Sequence, residues 1–137
     1  MKEVELLIPH RKPFLFIDQL VTASREEIIG TMVFSDSDQL LTGSFPEFNF
    51  VPGMALMEAL AQCGGAGIRK LQLASGYFAL ANIESTVFLK GVEYQQIFKM
   101  VITNIKISSK FIKQSGIGFV NDIECVKAVW TCIKFDE

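Results

Sequence analysis

The sequence contains few of the residues that bind metals or form disulfides. Its 137 residues include one histidine and three cysteines, and Cys63, Cys125 and Cys132 lack CxxC spacing. So few scattered ligands make neither a zinc site nor a disulfide framework. We therefore expect no metal and no other cofactor. Because no charged-then-apolar leader precedes the first predicted strand, we also expect a reduced, cytoplasmic location.

Charge of one sign and long hydrophobic runs are also missing. The 13 basic and 15 acidic residues are mixed along the chain, unlike the one-sided basic field of a nucleic-acid binder. No run approaches the ~18 uninterrupted apolar residues of a spanning helix. We thus expect neither nucleic acid nor a membrane as partner. Half of the residues are nevertheless hydrophobic, which predicts a subunit interface or an acyl-chain pocket in a single domain, residues 1–137.

The predicted elements suggest a sheet wrapped around one helix. A short turn or helical fragment is expected in residues 1–13, and an ordered loop in 41–51. A helix is expected from about Gly53 to Leu73; because it is apolar nearly all round up to Ile68, we expect it to be buried on every side. The β-rich segments are 14–22, 28–34, 78–88, 98–108, 116–125 and 126–135, with turns at Ser75-Gly76, Gly91 and Ser115-Gly116. This pattern predicts an α+β fold, with the outer face of the sheet as a dimer contact.

Glu58 is the main candidate for chemistry. It is the only charged residue between Glu47 and Arg69, inside an apolar helix. An unpaired ion in such surroundings is costly, so the carboxylate must reach the surface, find a partner or shift its pKa. A structural role, either exposed or bonded to Gln62 four residues on, remains an alternative.

Several motifs resemble the hot-dog-fold (3R)-hydroxyacyl-[acyl-carrier-protein] dehydratases of fatty-acid synthesis. The segment Pro9-His10-Arg11-Lys12-Pro13-Phe14-Leu15 is similar to that family's opening motif, and the central signature is carried by Gly43-Ser44-Phe45-Pro46, Pro52-Gly53 and Glu58-Ala59-x-Ala61-Gln62. The resemblance covers nearly the whole chain. It implies a hot-dog fold and an acyl tunnel at a dimer interface. It also implies an acyl-thioester substrate carried by an acyl carrier protein, in fatty-acid or polyketide-type synthesis.

The resemblance also implies a set of site residues. Glu58 would be catalytic, and the substrate would contact Gly53, Met54, Phe45, Gln62 and His10, with the backbone N–H groups around Gly53 and Met54 facing the thioester carbonyl. The sequence departs from the family at Ser44, where the family has a histidine. A serine cannot replace that base unaided, and loss of one acid–base group removes about 10²–10⁴ of rate.

Three functions remain open at this point. In the first, the chain would be a dehydratase with impaired catalysis. Glu58 would be the acid, and water or His10 would act in place of the missing imidazole. Alternatively, it is a non-catalytic acyl-binding protein or a heterodimer partner of an active paralogue, since a two-fold interface permits shared sites. The third possibility is a hot-dog thioesterase that uses Glu58. A local structural role for His10 between its two prolines is the competing interpretation of that residue.

Overall fold

The structure, a computed structural model, describes residues 1–135 and consists of one six-stranded sheet and three helices in that range. The elements are α1 (Glu3–Leu7), β1 (Gln19–Ala23), β2 (Glu27–Val33), α2 (Gln39–Thr42), α3 (Gly53–Lys70), β3 (Phe78–Phe88), β4 (Ile97–Ile107), β5 (Phe111–Val120) and β6 (Ile123–Lys134). The predicted α+β class is confirmed.

All strand pairs of the sheet are antiparallel, in the order β1-β2-β4-β5-β6-β3. The long helix α3 contacts all six strands, so it lies across the inner face of the sheet. This arrangement leaves β1 and β3 as the two edge strands among the described residues. It also matches the predicted sheet wrapped around a hydrophobic helix.

The core lies between α3 and the inner face of the sheet. Strand β6 shows the division clearly: Val126, Ala128 and Trp130 are buried, whereas Ile133 on the opposite face is 47% exposed. This alternation follows from the two-residue repeat of a strand. The buried residues of β6 therefore lie on the inner face of the sheet, while coverage of the outer face stays a prediction because the structure contains a single chain.

The first strand begins later in the structure than the sequence predicts. The sequence pattern predicts it over residues 14–22, but β1 starts at Gln19. The Gln62 side chain donates a hydrogen bond to the Phe14 carbonyl and accepts one from the Phe16 N–H. Because α3 satisfies these backbone groups, the segment runs along the helix instead of joining the sheet.

The turn predicted at Ser115-Gly116 is wrong. Both residues lie inside β5, and the chain turns at Asn121 and Asp122, whose φ angles are 50° and 63°. A Cβ at position 116 would lie 2.8 Å from the Trp130 ring. The glycine therefore serves close packing inside the sheet.

Two element ends also differ from expectation. Helix α3 ends at Lys70, three residues before the predicted end. The loop predicted over 41–51 begins within the short helix α2, whose N-cap Asp38 accepts a hydrogen bond from the Leu40 N–H. This cap forms within the polar cluster at residues 35–38, where Ser, Asp and Asn side chains commonly start helices.

Candidate active site

A cavity of about 370 Å³ lies along one face of α3, which is within the size range of ligand pockets. Glu58, Gln62, Gly65 and Arg69 all line it, and their spacing of four, three and four residues places them on one side of a helix. The opposite wall comes from the segment before β1 and from the sheet. Its lining includes Leu7, Ile8, Pro9, His10, Phe14, Tyr77, Leu80, Ile112, Gln114, Cys132 and Phe135.

The cavity corrects the expectation that α3 is buried on every side. Met54 is exposed, and Glu58, Ala61, Gly65 and Arg69 are half-buried, while most other positions of the helix are buried. One face of the helix is therefore open along its length.

Of the three glycines at positions 64, 65 and 67 of α3, two make close contacts and one does not. A Cβ on Gly64 would overlap the Gln114 side chain, and one on Gly67 would overlap Ile28. Gly65 has no neighbour closer than 3.9 Å. It lines the open face instead, where a missing side chain widens the cavity.

The Glu58 carboxyl is held by Gln62. The Gln62 Nε2 donates to Glu58 Oε2 at 2.9 Å and to the Phe14 carbonyl at 3.0 Å, and its Oε1 accepts from the Phe16 N–H at 2.7 Å. Gln62 is 2% exposed, so the amide is fixed on three sides. Glu58 is therefore bonded to Gln62, as in the structural alternative, and also lines an apolar cavity, as a functional carboxylate would.

His10 lies beside the same carboxyl. Its Nε2 is 3.6 Å from Glu58 Oε2, which is contact distance but too long for a hydrogen bond. Its Nδ1 is buried and has no hydrogen-bond partner within residues 1–135. The turn between Ile8 and Pro13 holds the ring in this position, and the Arg11 Nη1 braces that turn by donating to the Ile8 and His10 carbonyls.

Burial shifts both groups toward their neutral forms. It raises the pKa of Glu58 above the usual 4.5, an effect that the hydrogen bond from Gln62 partly opposes. Burial, with a smaller contribution from the Arg11 charge, lowers the pKa of His10 below 6.5. The contact is therefore one between an imidazole and a carboxyl that both resist ionisation, rather than a fixed ion pair. The shifts favour a carboxyl that can donate a proton and an imidazole that can accept one.

The remaining predicted site residues lie away from this cavity in the single chain. Ser44 and Phe45 follow α2 and are exposed, with the Ser44 N–H donating to the Leu41 carbonyl. Gly53 and Met54 form the first turn of α3, and Met54 is 65% exposed. None of these four lines the cavity. The structure therefore brings together Glu58, Gln62 and His10 from the predicted set.

The sequence reasoning missed Arg69 and Cys132 as cavity residues. Arg69 follows Glu58 by 11 positions, three helical turns, so spacing places both residues on one helix face. Spacing does not show that a cavity extends along that face. Cys132 is half-buried and lines the cavity. Burial, and then the nearby Glu58 charge, raises the pKa of the Cys132 thiol to about 12, so the thiol is protonated at neutral pH.

Within residues 1–135, no group of three or more His, Cys, Asp or Glu side chains could hold a metal ion. No helix in this range is long and apolar enough to cross a membrane.

Comparison with known proteins gives a consistent family. No protein-family model matches the chain. The chain is, however, 31% identical over 118 residues to the 3-hydroxyacyl-[acyl-carrier-protein] dehydratase FabZ of Streptococcus agalactiae, an alignment that spans 85% of this chain and 79% of that protein. It belongs to the FabZ dehydratase family. A second FabZ, from Solibacter usitatus, is 28% identical over 139 residues, which span all of this chain and 86% of the relative.

Solved structures agree on the fold. A chain of the dehydratase heterocomplex ApeI:P from Xenorhabdus doucetiae superposes with a TM-score of 0.76 at 16% identity, covering 98% of this chain and 91% of that one. The hot-dog fold expected from the FabZ-like motifs is therefore confirmed. At this identity the likeness concerns the fold alone.

Proposed function

We propose that this FabZ-family chain dehydrates 3-hydroxyacyl thioesters of an acyl carrier protein slowly, with Glu58 as the acid and His10 as the base. The observation that carries the proposal is the Glu58–His10 contact of 3.6 Å inside an apolar cavity. Both groups resist ionisation there. A protonated carboxyl and a free imidazole are the forms that an elimination requires.

The proposed step moves two protons. Nε2 of His10 removes the proton from the carbon next to the thioester carbonyl, and the C–H electron pair forms the new C=C bond. The C–O bond at the third carbon breaks, and the Glu58 proton joins the departing hydroxyl to give water. The two side chains then close from 3.6 Å to hydrogen-bond distance. The proton on His10 returns to the Glu58 carboxylate, which restores the starting state.

The start of α3 is suited to polarise the thioester carbonyl. Pro52 caps the helix without a side-chain hydrogen bond. The Ala55 N–H donates to the Pro52 carbonyl, whereas the Gly53 and Met54 N–H groups have no acceptor within residues 1–135. Met54 lies one turn before Glu58 on the same face. Free N–H groups and the positive end of the helix dipole favour an oxyanion. We therefore assign this role to Gly53 and Met54, with Phe45 as a further substrate contact. All three lie outside the cavity of the single chain, so the assignment requires that the substrate also reaches them at the proposed dimer interface.

Ser44 explains why the activity is expected to be slow. The FabZ-like motif has a histidine at this position, and loss of one positioned base costs about 10²–10⁴ in rate. His10 contacts Glu58 within the same chain, and it replaces only part of the base function of the missing histidine. Ser44 itself has no base role. We place it near the cavity of the partner chain in the proposed dimer.

The experiment is a dehydration assay on 3-hydroxyacyl thioesters of two chain lengths. We expect low activity in the wild type, loss in both Glu58→Gln and His10→Gln, and a gain in Ser44→His. Glu26→Gln, which neutralises an exposed carboxyl, is the matched control and should behave as the wild type. Equal rates in the wild type and Glu58→Gln would refute the proposal.

A dimer is proposed because β3 is an open edge. Its 11 residues expose Leu80, Ile83, Val87 and Phe88, and an exposed, hydrophobic edge strand is a ready template for another strand. We propose that β3 pairs with β3 of a second copy around a two-fold axis.

A second candidate function is that of a subunit paired with an active paralogue. The observation in its favour is that Ser44 lies outside the cavity of its own chain, so a partner histidine could complete the Glu58 half-site across β3. The related ApeI:P chain comes from a dehydratase heterocomplex. Co-expression with such a paralogue should then produce a mixed dimer whose activity depends on Glu58. A dehydration rate that is unchanged by Glu58→Gln in the mixed dimer would remove this candidate.

Thioester hydrolysis is the remaining alternative. It would release a free thiol from acyl thioesters that lack a hydroxyl, a substrate that cannot undergo dehydration. We expect no release, and Ellman's reagent measures it directly.

A further inference from the structure

The end of the cavity opposite Glu58 contains a positive charge. Arg69 lies on the same face of α3 as Glu58, 11 residues further on, which corresponds to about 16 Å along the helix axis. Both residues line the cavity. The cavity is therefore elongated, with a carboxyl and an imidazole at one end and a guanidinium at the other.

The Arg69 side chain is held by the turn that follows α3. Its Nη1 donates to the Gly76 carbonyl at 2.9 Å, and its Cζ lies 5.5 Å from the centre of the Tyr77 ring. Gly76 has a φ of 85°, a conformation that glycine adopts without strain. The guanidinium is thus fixed in place rather than free to swing into solvent.

Within residues 1–135, no carboxylate oxygen lies within 4.0 Å of this guanidinium. A guanidinium carries five N–H donors. The Gly76 carbonyl accepts from only one nitrogen, Nη1. The side chain is half-buried, and the apolar lining of the same cavity includes Ile68, Leu80 and Phe135. A fixed cation in an apolar wall is stabilised by an oxygen acceptor.

We propose that Arg69 binds an oxyanion of the thioester ligand, at the end of the cavity away from the carbon that reacts at Glu58. Because the ligand is the acyl thioester of the proposed function, the proposal rests on that function. Two parts of such a ligand carry this chemistry: a carboxylate at the far end of the acyl chain, or the phosphate of the carrier arm.

Three probes separate the two sources. Decanoyl-pantetheine has neither anion, sebacoyl-pantetheine has a terminal carboxylate on an acyl chain of equal length, and decanoyl-4′-phosphopantetheine has only the phosphate. Their dissociation constants are measured by calorimetry for the wild type, Arg69→Met and Arg69→Lys. Lys70→Met is the matched control, because it removes a neighbouring charge that pairs with Glu3 outside the cavity.

We expect one anionic probe to bind the wild type about 10-fold more tightly than decanoyl-pantetheine, the usual strength of a charge-assisted pair. Arg69→Met should abolish that preference, Arg69→Lys should keep part of it, and Lys70→Met should not change it. Preference for sebacoyl-pantetheine identifies the acyl terminus, and preference for the phosphorylated probe identifies the carrier arm.

Equal affinity of the wild type for all three probes would overturn the proposal and leave the proposed function intact. A preference that survives in Arg69→Met would overturn it as well, and Arg69→Lys decides the matter if the methionine variant does not fold. Absence of binding by every probe would instead count against the acyl-thioester function itself. Binding is measured without turnover, so the two failures are distinguishable.

Discussion

Replacing Gln62 by methionine tests the network that positions the candidate acid. The two side chains have similar length, but methionine can neither accept from the Phe16 N–H nor donate to Glu58 and the Phe14 carbonyl. All three hydrogen bonds of the amide are therefore lost. The change lies at the centre of the site and leaves the Glu58 and His10 side chains themselves unaltered.

The expected loss of stability is about 3–5 kcal/mol. The Phe16 N–H becomes a buried donor without a partner, which costs about 1–3 kcal/mol, and the bond to the carboxyl contributes about 1.5–3 when that group is charged. Phe14 is 47% exposed, so water replaces much of the third bond. Better burial of an apolar side chain offsets part of the sum. The loss is a large share of a typical stability of about 5–15 kcal/mol.

Urea unfolding at neutral pH measures this loss, with Gln39→Met on the exposed start of α2 as the control within about 0.5 kcal/mol of the wild type. Because the Gln62 hydrogen bond lowers the pKa of Glu58, its removal should also move any pH limb of the activity that depends on this carboxyl to higher pH. A destabilisation under about 1 kcal/mol would refute the three-bond account.

Three further predictions concern charge, packing and assembly. Burial raises the pKa of Glu58 above 4.5, so the wild type loses stability as pH rises from 4.5 through the folded-state pKa. Between pH 4 and 8, Glu58→Gln should therefore become more stable relative to the wild type, as measured by urea unfolding. The gain should be about 1.4 kcal/mol for each pKa unit by which burial raises the pKa of Glu58. Gly67→Ala should lower the melting temperature because its Cβ overlaps Ile28, whereas Gly65→Ala should raise stability by up to about 1 kcal/mol through helix propensity alone. Ile83→Lys on the exposed β3 edge should convert the proposed dimer to a monomer, as measured by light scattering.

Each of these has a clear opposite outcome. A stability difference for Glu58→Gln that does not change with pH would mean that the carboxyl is solvated. Equal effects of alanine at the two glycines would contradict the asymmetric packing of α3. An unchanged mass for Ile83→Lys would exclude β3 as the dimer edge.

Much of the fold was predictable because its elements follow local patterns. The start of α3 at Gly53 and the full extent of β3 agree with expectation, since a proline precedes the helix and β-branched and aromatic residues dominate the strand. The β5 error has the opposite cause. Gly116 resembles a turn glycine in one dimension, and only the ring of Trp130 packed against it shows that it belongs inside a strand.

The sequence by itself determined the family, the hydrophobic helix and the isolated carboxylate, because motifs, periodicity and a lone charge are local properties of the chain. Only the tertiary structure decided that His10 meets Glu58 across 48 residues, that Gln62 fixes both the carboxyl and the strand-like segment beside it, and that Arg69 shares their cavity. The physical reason is that pKa shifts and hydrogen-bond partners depend on burial and on neighbours distant in sequence, which spacing along the chain does not encode.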